Sequence, residues 1–291
     1  MQQRTEELSK KTLISPEGLA EMLEARDLQV VDCRFDLMAP EAGRKQYLES
    51  HIPGASYADL DADLAAPVGP TTGRHPLPAV EALCGTLGRL GIGNESQVVV
   101  YDGGNGGIAA RLWWLLRWVG HERVALLDGG FAAWEALGLP VTAGPELVAT
   151  GTFEGSPDPD MVTETRDLLG PDARHHRSSL VDGRDAARYR GEIEPIDPVA
   201  GHIPGARNLP FTDALSQQGR WRPVQELRCL WEPVVGADTD AEFTVMCGSG
   251  VTACHLALSA SLAGYRLPRV YVGSWSEWIR DPGRPVATTE G

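Results

Sequence analysis

The chain of 291 residues, 42% of them hydrophobic, is long enough for one large domain or two ordinary ones. Its formal net charge of −14 argues against nucleic acid or an anionic membrane as a partner. It has no apolar stretch of the roughly 18 residues that span a bilayer, no signal-peptide core and only five scattered cysteines, so we expect a cytoplasmic protein.

The first half of the chain alternates short apolar strands with helical stretches. The predicted strands are residues 29–32, 97–101 and 123–127, and the predicted helices are residues 15–25, 79–90 and 108–119. Ser15 is placed as the N-cap of the first helix, with Pro16 at the first helical position. Such an alternation predicts an α/β fold in which helices flank a parallel sheet. Open α/β sheets bind ligands beyond the carboxyl ends of their strands.

The second half repeats the landmarks of the first. Between them lies a segment rich in proline, glycine and acidic residues, residues 144–160, which is predicted to be a linker. The repeated landmarks lie 144 to 151 positions apart: they are Asp32 and Asp182, His51 and His202, Asp102 and Cys247, and Trp134 and Trp278. This period indicates a domain duplication, with an N-terminal domain over residues 1–143 and a C-terminal domain over residues 161–291.

Cys247 stands where a β-type run ends, and Gly-Ser-Gly follows before a helical pattern begins. We therefore expect this cysteine on a tight loop at a helix N-terminus, where free backbone amides stabilise an anion. The thiolate is the nucleophilic form of cysteine, so the loop predicts covalent sulfur chemistry, with a buried structural cysteine as the alternative. Asp102 occupies the matching place in the first half. Its glycine-rich surroundings fit no nucleotide-binding motif and indicate a degenerate copy, so no cofactor is expected.

The repeated His-Ile-Pro-Gly-Ala segments, the loop Cys247-Gly-Ser-Gly-Val-Thr252 and the segment Gly273-Ser-Trp-Ser-Glu-Trp278 together resemble the rhodanese superfamily in its tandem form. The resemblance covers nearly the whole chain. It implies two rhodanese-like α/β domains, an inactive N-terminal one and a catalytic C-terminal one, with the active site at their interface. It also implies a small anionic sulfur donor, a persulfide on Cys247, and a thiol, cyanide or a thioredoxin-like protein as acceptor. Related phosphatases need an arginine where this chain has Ala253, which argues against phosphatase activity.

The loop composition favours 3-mercaptopyruvate as the sulfur donor. In the family that the chain resembles, thiosulfate-type members tend to carry basic residues after the cysteine. Gly248 and Ser249 of this chain match the mercaptopyruvate type instead. Mercaptopyruvate-type members usually also have an arginine where this chain has Ile196. Either Arg190 or another basic group replaces it, or the donor is thiosulfate. A silent sulfur carrier that docks a partner is the third hypothesis.

The resemblance also implies roles for individual residues. Arg188 is expected to bind the substrate anion, with a surface arginine as the alternative. A relay of Ser249, His75 and Asp61 is expected to supply the proton that the departing enolate needs, although His75 equally fits a capped surface loop. The loop residues implied to line the substrate site are Gly248, Gly250, Val251 and Thr252. For Thr252, a helix N-cap is the alternative interpretation.

Several other residues are expected to be structural. The paired histidines, His51 and His202, are expected to bond to backbone at a turn, and no cluster has the spacing of a metal site. Two ion pairs are expected, between Asp32 and Arg34 and between Asp182 and Arg184. The residues predicted to pack in the core are Cys33, Cys84, Cys229, Cys254, Trp113, Trp114 and Trp118.

Overall fold

The computed structural model describes residues 12–170, 177 and 179–288. The chain forms two compact units. The first unit comprises Met1–Ala66, Pro78–Asp158 and Gln217–Trp221, and the second comprises Pro67–Leu77, Pro159–Ser216 and Arg222–Gly291. The segment Pro67–Leu77 therefore belongs to the second unit, although the predicted limits place it in the N-terminal domain. The predicted start of that domain and the end of the other lie partly outside the described residues.

The first unit is built on a parallel sheet of five strands in the order β1-β5-β4-β2-β3. The strands are β1 Leu13–Ile14, β2 Leu28–Asp32, β3 Ser56–Tyr57, β4 Gln97–Tyr101 and β5 Val124–Leu127. The helices are α1 Pro16–Ala20, α2 Glu41–Glu49, α3 Val80–Arg89, α4 Ala109–Trp118 and α5 Gly130–Ala136. The central strand β4 is buried along its whole length, as expected for a parallel strand with helices on both faces.

Local sequence signals explain where these elements begin. The Ser15 hydroxyl accepts a hydrogen bond of 3.1 Å from the amide of Gly18, so the predicted N-cap of α1 is confirmed. The helix ends at Ala20 and not at the predicted Ala25. After Ala20, the amides of Met22 and Ala25 bond to carbonyls only three residues earlier, which makes turns and not α-helix.

The second unit has an equivalent parallel sheet in the order β6-β10-β9-β7-β8. The strands are β6 Val162–Thr163, β7 Leu180–Asp182, β8 Arg207–Asn208, β9 Thr244–Met246 and β10 Arg269–Tyr271. The described α-helices are α6 Thr165–Leu169, α7 Ala186–Arg190, α8 Val224–Val235, α9 Thr252–Leu262 and α10 Ser274–Trp278, and 3₁₀ turns cover Pro159–Met161 and Phe211–Ala214. The shared strand order confirms the predicted α/β class with two parallel sheets.

The duplicated histidines and ion pairs have the predicted structural roles. His51 and His202 each form an antiparallel bridge, to Thr142 and Ala287, and their Nδ1 atoms lie 2.7 and 2.8 Å from backbone carbonyls. The guanidinium groups of Arg34 and Arg184 bind the buried carboxylates at the ends of β2 and β7, at 2.6 and 2.7 Å. Each ion pair fixes the loop that leaves its strand.

Most of the predicted packing residues are buried. The three tryptophans of α4 are at most 7% exposed, and Cys33 and Cys254 are fully buried. The prediction was wrong for Cys229, which lies on the exposed side of α8, and Cys84 is only partly buried. The reason is that α8 buries one face, centred on Leu227 and Trp231, and Cys229 lies between them on the other face. Within the described residues, no helix is long and apolar enough to cross a membrane.

Candidate active site

Cys247 lies directly after β9, at the carboxyl edge of the second sheet, and is only 2% exposed. The amide of Gly250 donates a hydrogen bond of 3.2 Å to its Sγ atom. Gly250 has a φ of +81°, and a Cβ atom there would lie 2.3 Å from the carbonyl oxygen of Val272. Only glycine fits this position, so the loop can turn its amide towards the sulfur. Gly248 is also next to the sulfur but does not have a positive φ.

The beginning of α10 holds the cysteine loop in place. The hydroxyl of Ser274 accepts a hydrogen bond of 3.1 Å from the amide of Cys247 and donates one of 2.8 Å to the carbonyl of Tyr271. The amides of Trp275 and Ser276 donate to the carbonyls of Cys247 and Gly248 at 3.0 and 2.8 Å. The backbone on both sides of the thiol is therefore fixed by one short helix.

The matching loop of the first unit holds a carboxylate in the corresponding place. Asp102 is 4% exposed, and its Oδ1 accepts hydrogen bonds from the amides of Gly104 and Gly106 at 3.0 and 2.9 Å. Its Oδ2 accepts from the amides of Ile108 and Ala109 at 3.0 and 3.1 Å. The loop is thus a cradle of backbone amides that its own side chain fills.

His75 and Ser249, two members of the predicted relay, lie together in the second unit. His75 Nδ1 and Ser249 Oγ share a hydrogen bond of 2.8 Å, and the residues are 3% and 7% exposed. The histidine is therefore not on a surface loop. Its segment is tied to the second unit because Arg74 donates its amide to the Ser276 hydroxyl at 3.0 Å, and Arg280 donates to the carbonyl of Thr72 at 3.0 Å.

Asp61, the third member of the predicted relay, belongs to the first unit. It is an exposed residue whose amide donates to the carboxylate of Asp59 at 2.9 Å. Although Asp61 is exposed, its carboxyl loses part of its hydration to neighbouring atoms, which raises its pKa above the usual value, and the Asp59 charge adds to this. Its part in a relay stays a prediction.

Arg188 extends from α7 and is 13% exposed, so it is not a surface arginine. The helix is capped by Asp185, which accepts a hydrogen bond of 2.8 Å from the amide of Ala187. Arg188 binds Glu194 through Nε at 3.0 Å and through Nη2 at 2.6 Å, and its Nη2 also lies 3.2 Å from Asp197. These carboxylates orient the guanidinium towards the cysteine loop.

Arg74 is a site residue that sequence reasoning missed. Its Nη1 forms an ion pair with Asp197, which therefore binds two arginines. A Cβ atom built on Gly248 would lie 3.0 Å from Nη2 of Arg74 and 3.6 Å from Nη2 of Arg188. Two guanidinium groups thus meet beside the residue that follows the thiol. The sequence signal was its position directly before His75.

Neither Arg190 nor the residue at the position of the expected arginine, Ile196, places a charge in the site. Arg190 is an exposed residue that binds the exposed Glu192 at 2.6 Å. Ile196 is 40% exposed, and its amide joins the site by donating to Glu194 at 3.1 Å. The second positive charge of the site is therefore supplied by Arg74.

The carboxylates of this network differ in their titration. Burial pushes the pKa of Glu194 upwards, but hydrogen bonds from Arg188 and from the amides of Asp197 and Ile196 outweigh burial, so its pKa is lowered. Burial raises the pKa of Asp197 even though Arg74 and Arg188 attract its charged form. Glu194 is therefore the firmly ionised partner of Arg188.

The remaining predicted residues form the end of the loop. Helix α9 begins at Thr252, its N-cap is Val251, and neither gives the helix a side-chain cap. The N-cap interpretation of Thr252 was therefore wrong, because the helix begins one residue too early for it. Cys254 donates to the carbonyl of Gly250 at 3.3 Å inside the core, as predicted. Among the described residues, no group of three or more potential ligands could hold a metal ion.

Known proteins resemble the chain over almost its full length. A family model described as the rhodanese-like domain matches it twice, over residues 15–137 and 162–281. A probable 3-mercaptopyruvate sulfurtransferase of Pseudomonas aeruginosa is 49% identical, over 97% of this chain and 99% of that protein. A putative thiosulfate sulfurtransferase, SseB of Mycobacterium tuberculosis, is 36% identical, over 95% and 96%. The crystal structure of SseA from Escherichia coli, described as a 3-mercaptopyruvate sulfotransferase, aligns with a TM-score of 0.80 at 32% identity, over 92% of this chain and 100% of that one.

Proposed function

The chain belongs to the rhodanese-like domain family, and we propose that it is a sulfurtransferase that moves sulfur from 3-mercaptopyruvate to a thiophilic acceptor through Cys247. The observation that carries this proposal is the surroundings of the thiol. The amide of Gly250 donates to the Sγ atom of Cys247 at 3.2 Å. Gly248, the residue after the cysteine, lies beside the guanidinium groups of Arg74 and Arg188. Ser249 is hydrogen-bonded to His75 at 2.8 Å. The site thus combines a nucleophile, an anion-binding group and a proton-carrying pair.

In the first step, the Cys247 thiolate attacks the sulfur of 3-mercaptopyruvate, and a bond forms between the two sulfur atoms. The carbon–sulfur bond of the donor breaks, and its electron pair stays on carbon as the enolate of pyruvate. The cysteine becomes a persulfide that keeps the thiol proton of the donor. The amide of Gly250 stabilises the negative charge on the attacking sulfur.

The enolate must then gain a proton on carbon to leave as pyruvate. The Ser249 hydroxyl is placed to donate this proton, because it lies two residues from Cys247 and is held by His75. The imidazole then restores the hydroxyl proton. We also propose that Asp61 orients His75, because Asp61 stands at the position to which the family resemblance assigns this role.

In the second step, an acceptor attacks the outer sulfur of the persulfide. The sulfur–sulfur bond breaks, the Cys247 thiolate is regenerated and the acceptor carries the sulfur away. The acceptor classes that fit are a small thiol, cyanide and a thioredoxin-like protein. Since the donor's product leaves before the acceptor reacts, the enzyme should follow ping-pong kinetics.

Thiosulfate is the alternative donor, and a specific observation supports it. The site carries two guanidinium groups beside Gly248, and such a charge also suits a compact dianion. In that case, Cys247 attacks the outer sulfur of thiosulfate and sulfite leaves with the electron pair. Sulfite needs no proton on carbon, so the Ser249–His75 pair would have no part in this reaction.

The deciding experiment measures pyruvate release from 3-mercaptopyruvate beside thiocyanate formation from thiosulfate and cyanide. We expect a higher kcat/KM with 3-mercaptopyruvate, and a clearly higher value with thiosulfate would reverse the assignment. Mass spectrometry of the wild type should show a persulfide as an increase of about 32 Da, the mass of one sulfur atom. Cys247→Ser should abolish both activities and this mass increase. Cys229→Ser, at an exposed position, serves as the matched control and should leave both unchanged. Absence of turnover and of persulfide in the wild type would favour a silent carrier.

A location in a reducing cytoplasm is part of the same proposal. It is supported by the odd number of scattered cysteines and by the need for a free thiol at position 247. A native intramolecular disulfide, found by mass spectrometry of protein isolated under alkylating conditions, would contradict it.

A further inference from the structure

Ser276 is hydrogen-bonded to both segments that carry the Ser249–His75 pair. Its hydroxyl accepts a hydrogen bond of 3.0 Å from the amide of Arg74, the residue before His75. Its own amide donates a hydrogen bond of 2.8 Å to the carbonyl of Gly248, the residue before Ser249. The bond of 2.8 Å between His75 and Ser249 completes a closed ring of three hydrogen bonds within the second unit.

The histidine segment, residues 72–75, is packed closely against Ser276. The serine is 4% exposed, so little water reaches its hydroxyl. A Cβ atom on Gly73 would lie 2.9 Å from this hydroxyl oxygen and 2.6 Å from the carbonyl oxygen of Gly273, so the segment has no room for a side chain there. Arg280 donates to the first carbonyl of the segment at 3.0 Å. The segment is therefore seated on the beginning of α10, and the Ser276 hydroxyl accepts from its backbone.

The first unit shows which of these hydrogen bonds the fold needs by itself. The residue that matches Ser276 is Ala132, and its amide donates to the carbonyl of Gly103 at 3.1 Å, as the amide of Ser276 does to Gly248. This backbone bond therefore forms without a serine. The loop beside Ala132 carries Asp102 in place of the nucleophile. The hydroxyl is thus an addition of the unit that carries the cysteine and the histidine.

We propose that Ser276 is a positioning residue whose hydroxyl keeps His75 in hydrogen-bond contact with Ser249, the residue that protonates the enolate. This inference rests on the proposed sulfurtransferase function. In that step the Ser249 O–H bond breaks as a C–H bond forms on the enolate carbon, His75 returns a proton to the oxygen, and the imidazole regains one from solvent. A misplacement of about 1 Å is enough to slow such a transfer strongly. Ser276 acts through this geometry and not as a proton donor.

The test is a double-mutant cycle between Ser276→Ala and Ser249→Ala, with kcat for pyruvate release from 3-mercaptopyruvate as the readout. Ser276→Ala alone should lower kcat about ten-fold, less than removal of the Ser249 hydroxyl, because the pair is loosened and not deleted. In the Ser249→Ala background, the same substitution should lower kcat no further, since the pair through which it acts is already lost. An equal loss in both backgrounds would overturn the inference, and so would an unchanged kcat in Ser276→Ala.

Ser259→Ala is the matched control for the loss of a buried hydroxyl. Ser259 lies on α9, is 1% exposed, and accepts a hydrogen bond of 3.0 Å from the indole of Trp231. Its substitution should lower the melting temperature but leave kcat and the solvent deuterium isotope effect on kcat unchanged. Ser276→Ala should increase this isotope effect, because proton transfer becomes the slower step. Equal changes in the two variants would indicate general destabilisation and overturn the inference.

Gly73→Ala disturbs the same contact from the side of the histidine segment. Its Cβ atom would press on the Ser276 hydroxyl, so it should also lower kcat, and its loss and that of Ser276→Ala should not add. Additive losses would show that the two positions act separately and would contradict the inference. A wild type that releases no pyruvate would overturn the proposed function and this inference together. Normal release by the wild type with an unchanged kcat in Ser276→Ala would overturn the inference alone.

Discussion

The amide of Cys247 donates its hydrogen bond to the hydroxyl of Ser274, which is the one described non-glycine residue with a positive φ, at 52°. The matching residue of the first unit is Gly130, with a φ of 55°. The first unit therefore uses glycine where the backbone needs this conformation, and the second unit keeps a serine there despite the strain. What the serine adds is an acceptor for the backbone of the nucleophile.

This relationship predicts that two substitutions at Ser274 differ in stability although both impair catalysis. Ser274→Gly should remove the strain and, with it, both hydrogen bonds of the hydroxyl, so stability should change by less than about 1 kcal/mol. Ser274→Ala keeps the strain and loses the same two hydrogen bonds, so it should be less stable than Ser274→Gly by about 1 kcal/mol or more. Both should lower kcat, because the cysteine loop loses its fixed amide. Thermal unfolding and steady-state kinetics check this, and an alanine variant more stable than the glycine variant would contradict it.

The sequence predicted the duplicated fold because its landmarks are local. Each landmark can be recognised from a few neighbouring residues, and each recurs in the second half at a nearly constant offset. The landmarks include a strand-end aspartate, a His-Ile-Pro-Gly turn and a tryptophan before a proline. The same holds for the cysteine loop, whose glycine at position 250 is needed for the turn that aims an amide at the sulfur.

The sequence did not predict Arg74 because its role depends on a long-range contact. Arg74 precedes Asp197 by more than a hundred residues, and no local pattern links them. The segment that carries Arg74 and His75 also joins the second unit, whereas position along the chain assigns it to the first. Helix limits failed for a different reason: the ends of α1 and α9 depend on backbone bonding after Ala20 and at Val251, which side-chain patterns hardly specify.

The Ser249–His75 pair should matter for one donor and not for the other. Ser249→Ala removes the hydroxyl that lies 2.8 Å from His75, so the enolate of pyruvate loses its proton donor. We expect kcat for pyruvate release to fall about a hundred-fold or more, the usual contribution of a placed acid. Thiosulfate, which leaves sulfite, serves as the internal control and should react at nearly the wild-type rate. An equal loss with both donors would indicate damage to the loop.

Removing the Asp102 carboxylate from its cradle of amides should destabilise the protein strongly but leave the chemistry at Cys247 intact. Asp102→Ala deletes a carboxylate that accepts hydrogen bonds from four amides, at 2.9 to 3.1 Å, and two of these bonds are buried and two part-buried. Since an unsatisfied buried donor costs about 1–3 kcal/mol, we expect a destabilisation of about 3 kcal/mol or more, reduced where water enters. Asp102→Asn, which keeps an acceptor, should lose less. Thermal unfolding measures both, and persulfide formation on Cys247 should persist in the folded fraction.

His121 should make the protein less stable in mild acid. It is 5% exposed, its ring lies edge-on to Phe153 with the centroids 5.7 Å apart, and its Nε2 has no hydrogen-bond partner among the described residues. Burial lowers the pKa of His121, with a smaller opposing effect from backbone hydrogen bonding. A base whose folded pKa is depressed contributes stability above its unfolded pKa, about 6.5, and that contribution is lost as the pH falls through the folded value. The melting temperature should therefore decrease from pH 7.5 to pH 5, by proton uptake at this ring on unfolding. Glutamine cannot take up a proton, so the melting temperature of His121→Gln should decrease less than that of the wild type between pH 7.5 and pH 5. An identical decrease in both proteins would show that another group is responsible.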